Sequence, residues 1–166
     1  MNDSDQPLSQ PLSSETELGL PSRVLALDLG KKRVGLAVSD PLGHFAVGLD
    51  TVTFRSPEQL APMIQALVEK YDVKTLIVGL PVHLKGVEGS QAGWVRGVAE
   101  YLAAETGCQL VYLDERLTSV IAKQSLREQG IQPSRPKVRA QGLVDQVAAM
   151  RLLQDYMDGQ PGLKHL

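Results

Sequence analysis

Between Val24 and Gly30 the chain reads VLALDLG, an apolar run interrupted once, by Asp28. Runs of this kind form strands, and the two-residue period puts Val24, Ala26 and Asp28 on one face. Strand interiors disfavour aspartate, and an ionised carboxylate taken out of water without a partner is costly. Any fold of this chain must therefore give Asp28 a partner, water or a cation. Two roles satisfy that demand: a cap on the turn that Gly30 introduces, or a cation-binding group within a strand.

The run RVGLAVS (Arg33 to Ser39) follows after the polar link Lys31-Lys32, which predicts an antiparallel hairpin, and a third strand is expected over Phe45 to Thr53. Ser56 suits a helix cap and Pro57 a first helical position. Leu60, Ile64, Leu67 and Val68 then recur at helical spacing, ending near Tyr71. KTLIVGLP (Lys74 to Pro81) has the continuous apolar character of a strand buried on both faces. A helix from Ser90 to about Glu105 is broken by Thr106-Gly107, and QLVYL (Gln109 to Leu113) is a fifth strand. A helix from Thr118 to about Gln129 stops at Gly130, and a last one is expected from about Lys137 to Tyr156. The order β-β-β-α-β-α-β-α-α predicts an α/β fold: a five-stranded mixed sheet, three antiparallel strands followed by two parallel ones, flanked by helices. Sheets with parallel strands place ligands at the carboxyl ends of those strands.

A length of 166 residues allows one ordinary domain. Residues 1–20 are rich in Ser, Gln and Pro and carry four acids and no base, so a disordered tail is expected there. Residues 159–166, with Gly and Pro, are expected to be flexible, leaving 21–158 as the folded unit. Cys108 is the only cysteine, so no internal disulfide forms. The start lacks a secretory pattern and no run approaches the roughly 18–20 apolar residues of a membrane helix, so a soluble cytoplasmic protein is expected.

Two further places carry carboxylates that could join Asp28. Asp114 and Glu115 follow the fifth strand, at the edge where a ligand is expected, and only one of two adjacent side chains can readily face inward. For an isolated DER, helix capping before Thr118 or a surface pair of Glu115 with Arg116 is the more ordinary account. Asp145 lies within the last predicted helix with Gln141, Gly142, Ala148 and Ala149 at spacings of three and four. Small residues of that kind let a helix face approach another backbone, which aims Asp145 at the sheet. Three carboxylates from a strand, a strand end and a helix suit a hard divalent cation and phosphoryl chemistry.

Basic residues complement them. From Arg116 to Arg139 there are six bases (Arg116, Lys123, Arg127, Arg135, Lys137, Arg139) and one acid, a local charge of +5. Arg135, Lys137 and Arg139 stand at the predicted start of the last helix, where the macrodipole disfavours cations unless an anion binds. Lys31, Lys32 and Arg33 form a second cluster at the hairpin tip. The loop PVHLKGVEG (Pro81 to Gly89) offers Lys85 as a phosphate contact. His44, His83 and His165 are too scattered for a metal motif, and Trp94 and Cys108 read as core or partly buried groups.

Four blocks in order, ALDLGKKRVGLAVSDPLG, VGLPVHLKGVEGSQA, YLDERLTS and VDQVAA, resemble the YqgF family of ribonuclease H-like proteins, known both as Holliday junction resolvases and as pre-16S rRNA nucleases. The resemblance spans nearly all of residues 23–158. It implies a ribonuclease H-like fold, phosphodiester hydrolysis with Mg²⁺ or Mn²⁺, and a catalytic, metal-binding triad of Asp28, Glu115 and Asp145. It also implies that Lys32, Arg33 and Arg116 are substrate-binding or site-supporting cations. Departures are Ala26 and Lys31, where the family usually has Gly and Thr or Ser, and the loop residues His83 and Lys85.

The expected partner is nucleic acid, either structured RNA such as pre-16S rRNA or a branched DNA junction, bound by a monomer or a homodimer. Two other classes compete: a sugar-kinase or actin-like ATPase, because Asp28 to Gly35 also resembles a phosphate loop, and a non-catalytic nucleic-acid-binding factor. The net charge of -2 argues against a general affinity for polyanions. Without residues 1–20, however, seventeen bases face fifteen acids. Binding is therefore expected to be local and salt-sensitive.

Overall fold

The structure, a computed structural model, describes residues 19–81, 89–114, 127–130 and 142–159. Five strands are present: β1 (Arg23–Leu29), β2 (Arg33–Ser39), β3 (Ala46–Thr53), β4 (Val73–Leu80) and β5 (Gln109–Asp114). They form one sheet in the order β3-β2-β1-β4-β5. β1 runs antiparallel to β2 and parallel to β4, β2 runs antiparallel to β3, and β4 runs parallel to β5. Three helices are described in full: α1 (Pro57–Tyr71), α2 (Ser90–Thr106) and α3 (Leu143–Asp158). This is the mixed sheet that the order of elements implies.

Local chemistry sets the element ends. The hairpin closes where the Gly30 N–H donates to the Arg33 carbonyl at 2.9 Å. A β-carbon on Gly30 would stand 2.7 Å from that same oxygen, so the turn requires glycine. Ser56 caps α1 by accepting from the Gln59 N–H at 3.2 Å, with Pro57 at the first helical position. Gly107 ends α2 in the left-handed region, its N–H donating to the Ala103 carbonyl. Gly130, also at positive φ, donates to Arg127, in keeping with the predicted stop.

Both faces of the sheet are covered, which explains the continuous apolar runs. On one face Leu25, Leu27, Leu36, Leu76, Val78 and Leu80 pack with Leu60, Ile64, Val95, Ala99 and Leu102 of α1 and α2. On the other, Ala26, Ala37, Ile77 and Leu113 pack against Ala149, Leu152 and Leu153 of α3. The α3 side is floored by small residues, so that helix sits close to the strands. Gly35 and Gly48 complete the floor: a β-carbon on Gly35 would collide with the Asp145 backbone, and one on Gly48 would stand 2.8 Å from Met150 Sδ. A polar stripe ties α3 to the edge strand. Gln146 Nε2 donates to the Leu49 carbonyl at 2.8 Å, and Gln154 Oε1 accepts from the Ala46 N–H at 3.0 Å.

Two sequence boundaries need correction. The last helix begins at Leu143, after Gly142 at φ 68°, and not near Lys137. Thr51 Oγ1 donates to the Gly142 carbonyl at 2.9 Å, fixing that start against β3. Asp145 is therefore a first-turn residue, where the helix macrodipole favours an anion. Asp114 closes β5 instead of following it, because its backbone pairs in register with Leu80.

Gly35→Ala should destabilise the fold by about 3 kcal/mol, the upper end for overpacking, since the obstructing atoms are backbone and cannot rotate away. A urea midpoint equal to that of the wild type would show that α3 is not seated as described. A second test concerns Asp155 on α3, which is buried and ion-paired with Arg151 at 3.1 Å. Burial raises its carboxyl above the ordinary 3.8, and Arg151 offsets this only in part. The folded state thus holds this proton more tightly than the unfolded state. The associated stability is complete below 3.8 and declines as pH rises through the raised value. The melting temperature of Asp155→Asn relative to wild type should accordingly improve from acid to neutral pH, and a relative decline would refute the argument.

Candidate active site

Asp28 is the penultimate residue of β1, and its backbone pairs with Gly35 of β2. Directly opposed residues in an antiparallel pair are about 5 Å apart and present to the same face. That face is the α3 side, because Ala26 two residues earlier packs there while Leu27 and Leu29 pack on the other. The first turn of α3 lies against Gly35, bringing the Asp145 backbone over the glycine that pairs with Asp28. One residue without a side chain thus lets two carboxylate-bearing segments converge.

Arg33 completes the group. It is two residues from Gly35 in β2 and so shares its face. Its Nε donates to Asp145 Oδ2 at 2.9 Å, with side chains 36% and 24% exposed. The strand period alone gives no hint of this pair, whose members are 112 positions apart. The small-residue pattern around Asp145 does identify the correct helix face: Ala148 and Ala149 are buried.

Asp114 is not part of this group. It is 6% exposed and aligned with Leu80, while Leu113 before it packs under α3. Its side chain belongs to the α1 and α2 face, opposite Asp28. Lys31 and Lys32 are exposed at the hairpin tip, with Lys31 Nζ 5.8 Å from the Trp94 ring and the Lys32 carbonyl accepting from the Phe54 N–H. Trp94 meets Phe54 edge-on at 5.2 Å and is partly buried, in line with its expected packing role. Cys108 is also partly buried. Glu115, Arg116, Lys85, Arg135, Lys137 and Arg139 lie outside the described residues, as does His83.

The donor chemistry fits a hard divalent cation. Asp28, on the α3 face near the carboxyl end of a parallel strand, and Asp145, in the helix turn laid over the cross-strand partner of Asp28, are oxygen donors of the kind such an ion takes. Among the described residues, no three acidic, histidine or cysteine side chains are grouped to hold a metal ion. Two carboxylates are what the described part contributes.

A five-stranded mixed sheet of this order, with an aspartate on its central strand and another on a helix laid across it, is a ribonuclease H-like fold. RuvC of T. thermophilus, solved in complex with a Holliday junction substrate, superposes with a TM-score of 0.53 at 16% identity, over 87% of this chain and 99% of that one. Residues 22–159 match the family described as "RuvX: Holliday junction resolvase". A Chloroflexus aurantiacus protein named "Putative pre-16S rRNA nuclease" is 42% identical over 137 residues, 82% of this chain and 87% of the relative. A Moorella thermoacetica protein of the same name is 41% identical over 143 residues, 85% and 99% of the two chains. The chain belongs to the RuvX family, the YqgF family that its motifs resemble, and the descriptions of that family are of nucleases.

Proposed function

We propose that this protein is a metal-dependent nuclease whose site is Asp28, Glu115 and Asp145, acting in the cytoplasm on the 5′ end of pre-16S rRNA during ribosome biogenesis. The observation that carries the reading is the close approach of the Asp145 backbone to Gly35, the cross-strand partner of Asp28 near the carboxyl end of β1. Asp114 belongs to the opposite face by strand register, and Glu115 enters the reading as the carboxylate of the DER block that the family resemblance implies. When bound, Mg²⁺ or Mn²⁺ would activate water and stabilise charge on the leaving 3′ oxygen. Asp28 and Asp145 would hold the cation, one from a strand and one from a helix, and the first turn of α3 steadies the Asp145 charge. Lys32, Lys85, Arg116, Arg135, Lys137 and Arg139 grip the phosphate backbone, so binding weakens as salt rises. Arg33 stands at the border between carboxylates and substrate.

The RNA substrate is favoured by the names of relatives about 40% identical. A four-way DNA junction is the second reading, favoured by the description of the matching family. Symmetric cutting of a junction calls for a homodimer, whereas RNA trimming is open to a monomer.

Cleavage of pre-16S rRNA, single-stranded RNA and a four-way DNA junction, measured side by side with Mg²⁺ and Mn²⁺, tests both. Asp28→Asn, Glu115→Gln and Asp145→Asn should each lower cleavage by more than the roughly 10- to 100-fold typical of residues that only support a metal ligand. Each variant should keep the wild-type circular dichroism spectrum. Undiminished cleavage by a purified variant removes that residue from the site. Activity confined to the junction, with a dimeric protein, would decide for the second reading.

A further inference from the structure

Arg33 is drawn to Asp145 by a directed contact, Nε to Oδ2 at 2.9 Å, and both side chains are partly shielded from water. The same carboxylate is a proposed cation ligand, so two positive groups have a claim on it. We propose that Arg33 is an exchangeable counter-cation for Asp145: it positions the carboxylate while the site lacks a metal, and it must yield charge density at Oδ2 when a divalent ion binds. The inference rests on the metal-site reading above and adds a regulator of that site.

Three observations support it. Arg33 and Asp28 both flank Gly35, Arg33 two positions along β2 and Asp28 as its cross-strand partner, so the guanidinium that meets Asp145 belongs to the same face of the sheet as Asp28. Asp145 is anchored through its backbone by the close approach to Gly35, so the exchange needs movement of side chains and not of α3. Arg33 is also about one-third exposed, so its outer nitrogens can turn to a substrate phosphate as the inner contact loosens. The charge that is displaced from Asp145 would thereby be passed to the phosphodiester. Site filling and substrate binding become linked through one side chain, each favouring the other.

The pairing lowers the affinity for a cation in the absence of nucleic acid. Removing the charge should therefore tighten metal binding, an outcome that simple loss of structure would not produce. With full-length protein and no nucleic acid, Mn²⁺ affinity measured by electron paramagnetic resonance should rise about two- to fivefold in Arg33→Gln, the scale of a partly exposed ion pair. Arg33→Lys, which keeps the charge, should stay near the wild-type value. Metal-free Arg33→Gln should melt below wild type, with the gap narrowing as Mn²⁺ is added. Equal or weaker Mn²⁺ binding by Arg33→Gln overturns the proposal.

A measurement on the unaltered protein covers the case in which that variant fails to fold. The Arg33 Nε–Hε resonance should shift, and exchange faster with water, as Mg²⁺ is titrated in. A resonance that stays fixed while Mg²⁺ binds also overturns the proposal. Asp28→Asn and Asp145→Asn separate the two levels of inference. If both bind Mn²⁺ like wild type, the metal-site reading itself fails; if they lose it while Arg33→Gln matches wild type, only the role of Arg33 falls.

Discussion

The packing of α3 on Gly35 is the constraint on which the site depends. Helix and sheet ordinarily keep a separation set by the side chains between them. At Gly35 that spacer is missing, and the Asp145 backbone occupies the place a β-carbon would take. The same economy recurs at Gly48, below Gln146 and Met150, and at Gly142, against Thr51. These three contacts set the height of the first turn of α3 over β2 and β3, and with it the position of the Asp145 carboxylate. The glutamine stripe then fixes the helix lengthwise, since Gln146 and Gln154 both reach backbone groups of β3 or the turn before it.

The strand periodicities carried most of the architecture. Because β1, β2 and β4 are buried on both faces, their runs are mostly apolar, with Asp28 the exception in β1, and the glycines and prolines between them mark the turns. Ser56-Pro57 located the start of α1 and Gly107 the end of α2 because caps are local chemistry. The start of α3 was harder to read. Nothing in the periodicity distinguishes a helical residue before Gly142 from one after it, and the left-handed glycine that sets the start is held by Thr51, a contact across 91 positions. Helical spacing nevertheless picked out the correct face around Asp145, because the small residues there answer to a steric demand.

The candidate site shows the same division. Asp28 was legible because a carboxylate in a buried strand violates a local preference. The choice between the neighbours Asp114 and Glu115 depended on strand register, which assigns Asp114 to the face of α1 and α2. Arg33 was legible only as a member of a basic cluster. Its contact with Asp145 is a product of tertiary structure, and it separates Arg33 from the exposed Lys31 and Lys32 beside it in sequence.

That separation also bears on how an acidic site can exist in a folded chain before any cation arrives. Two carboxylates held near each other repel, and this repulsion opposes folding unless positive charge is built in. Here it is supplied twice: by the N-terminal end of α3, whose first turn contains Asp145, and by the Arg33 guanidinium. Neither source depends on solution conditions to the degree that a bound ion does. The fold therefore carries positive charge of its own beside Asp145, at the end of a helix and at a guanidinium, whatever the solution holds.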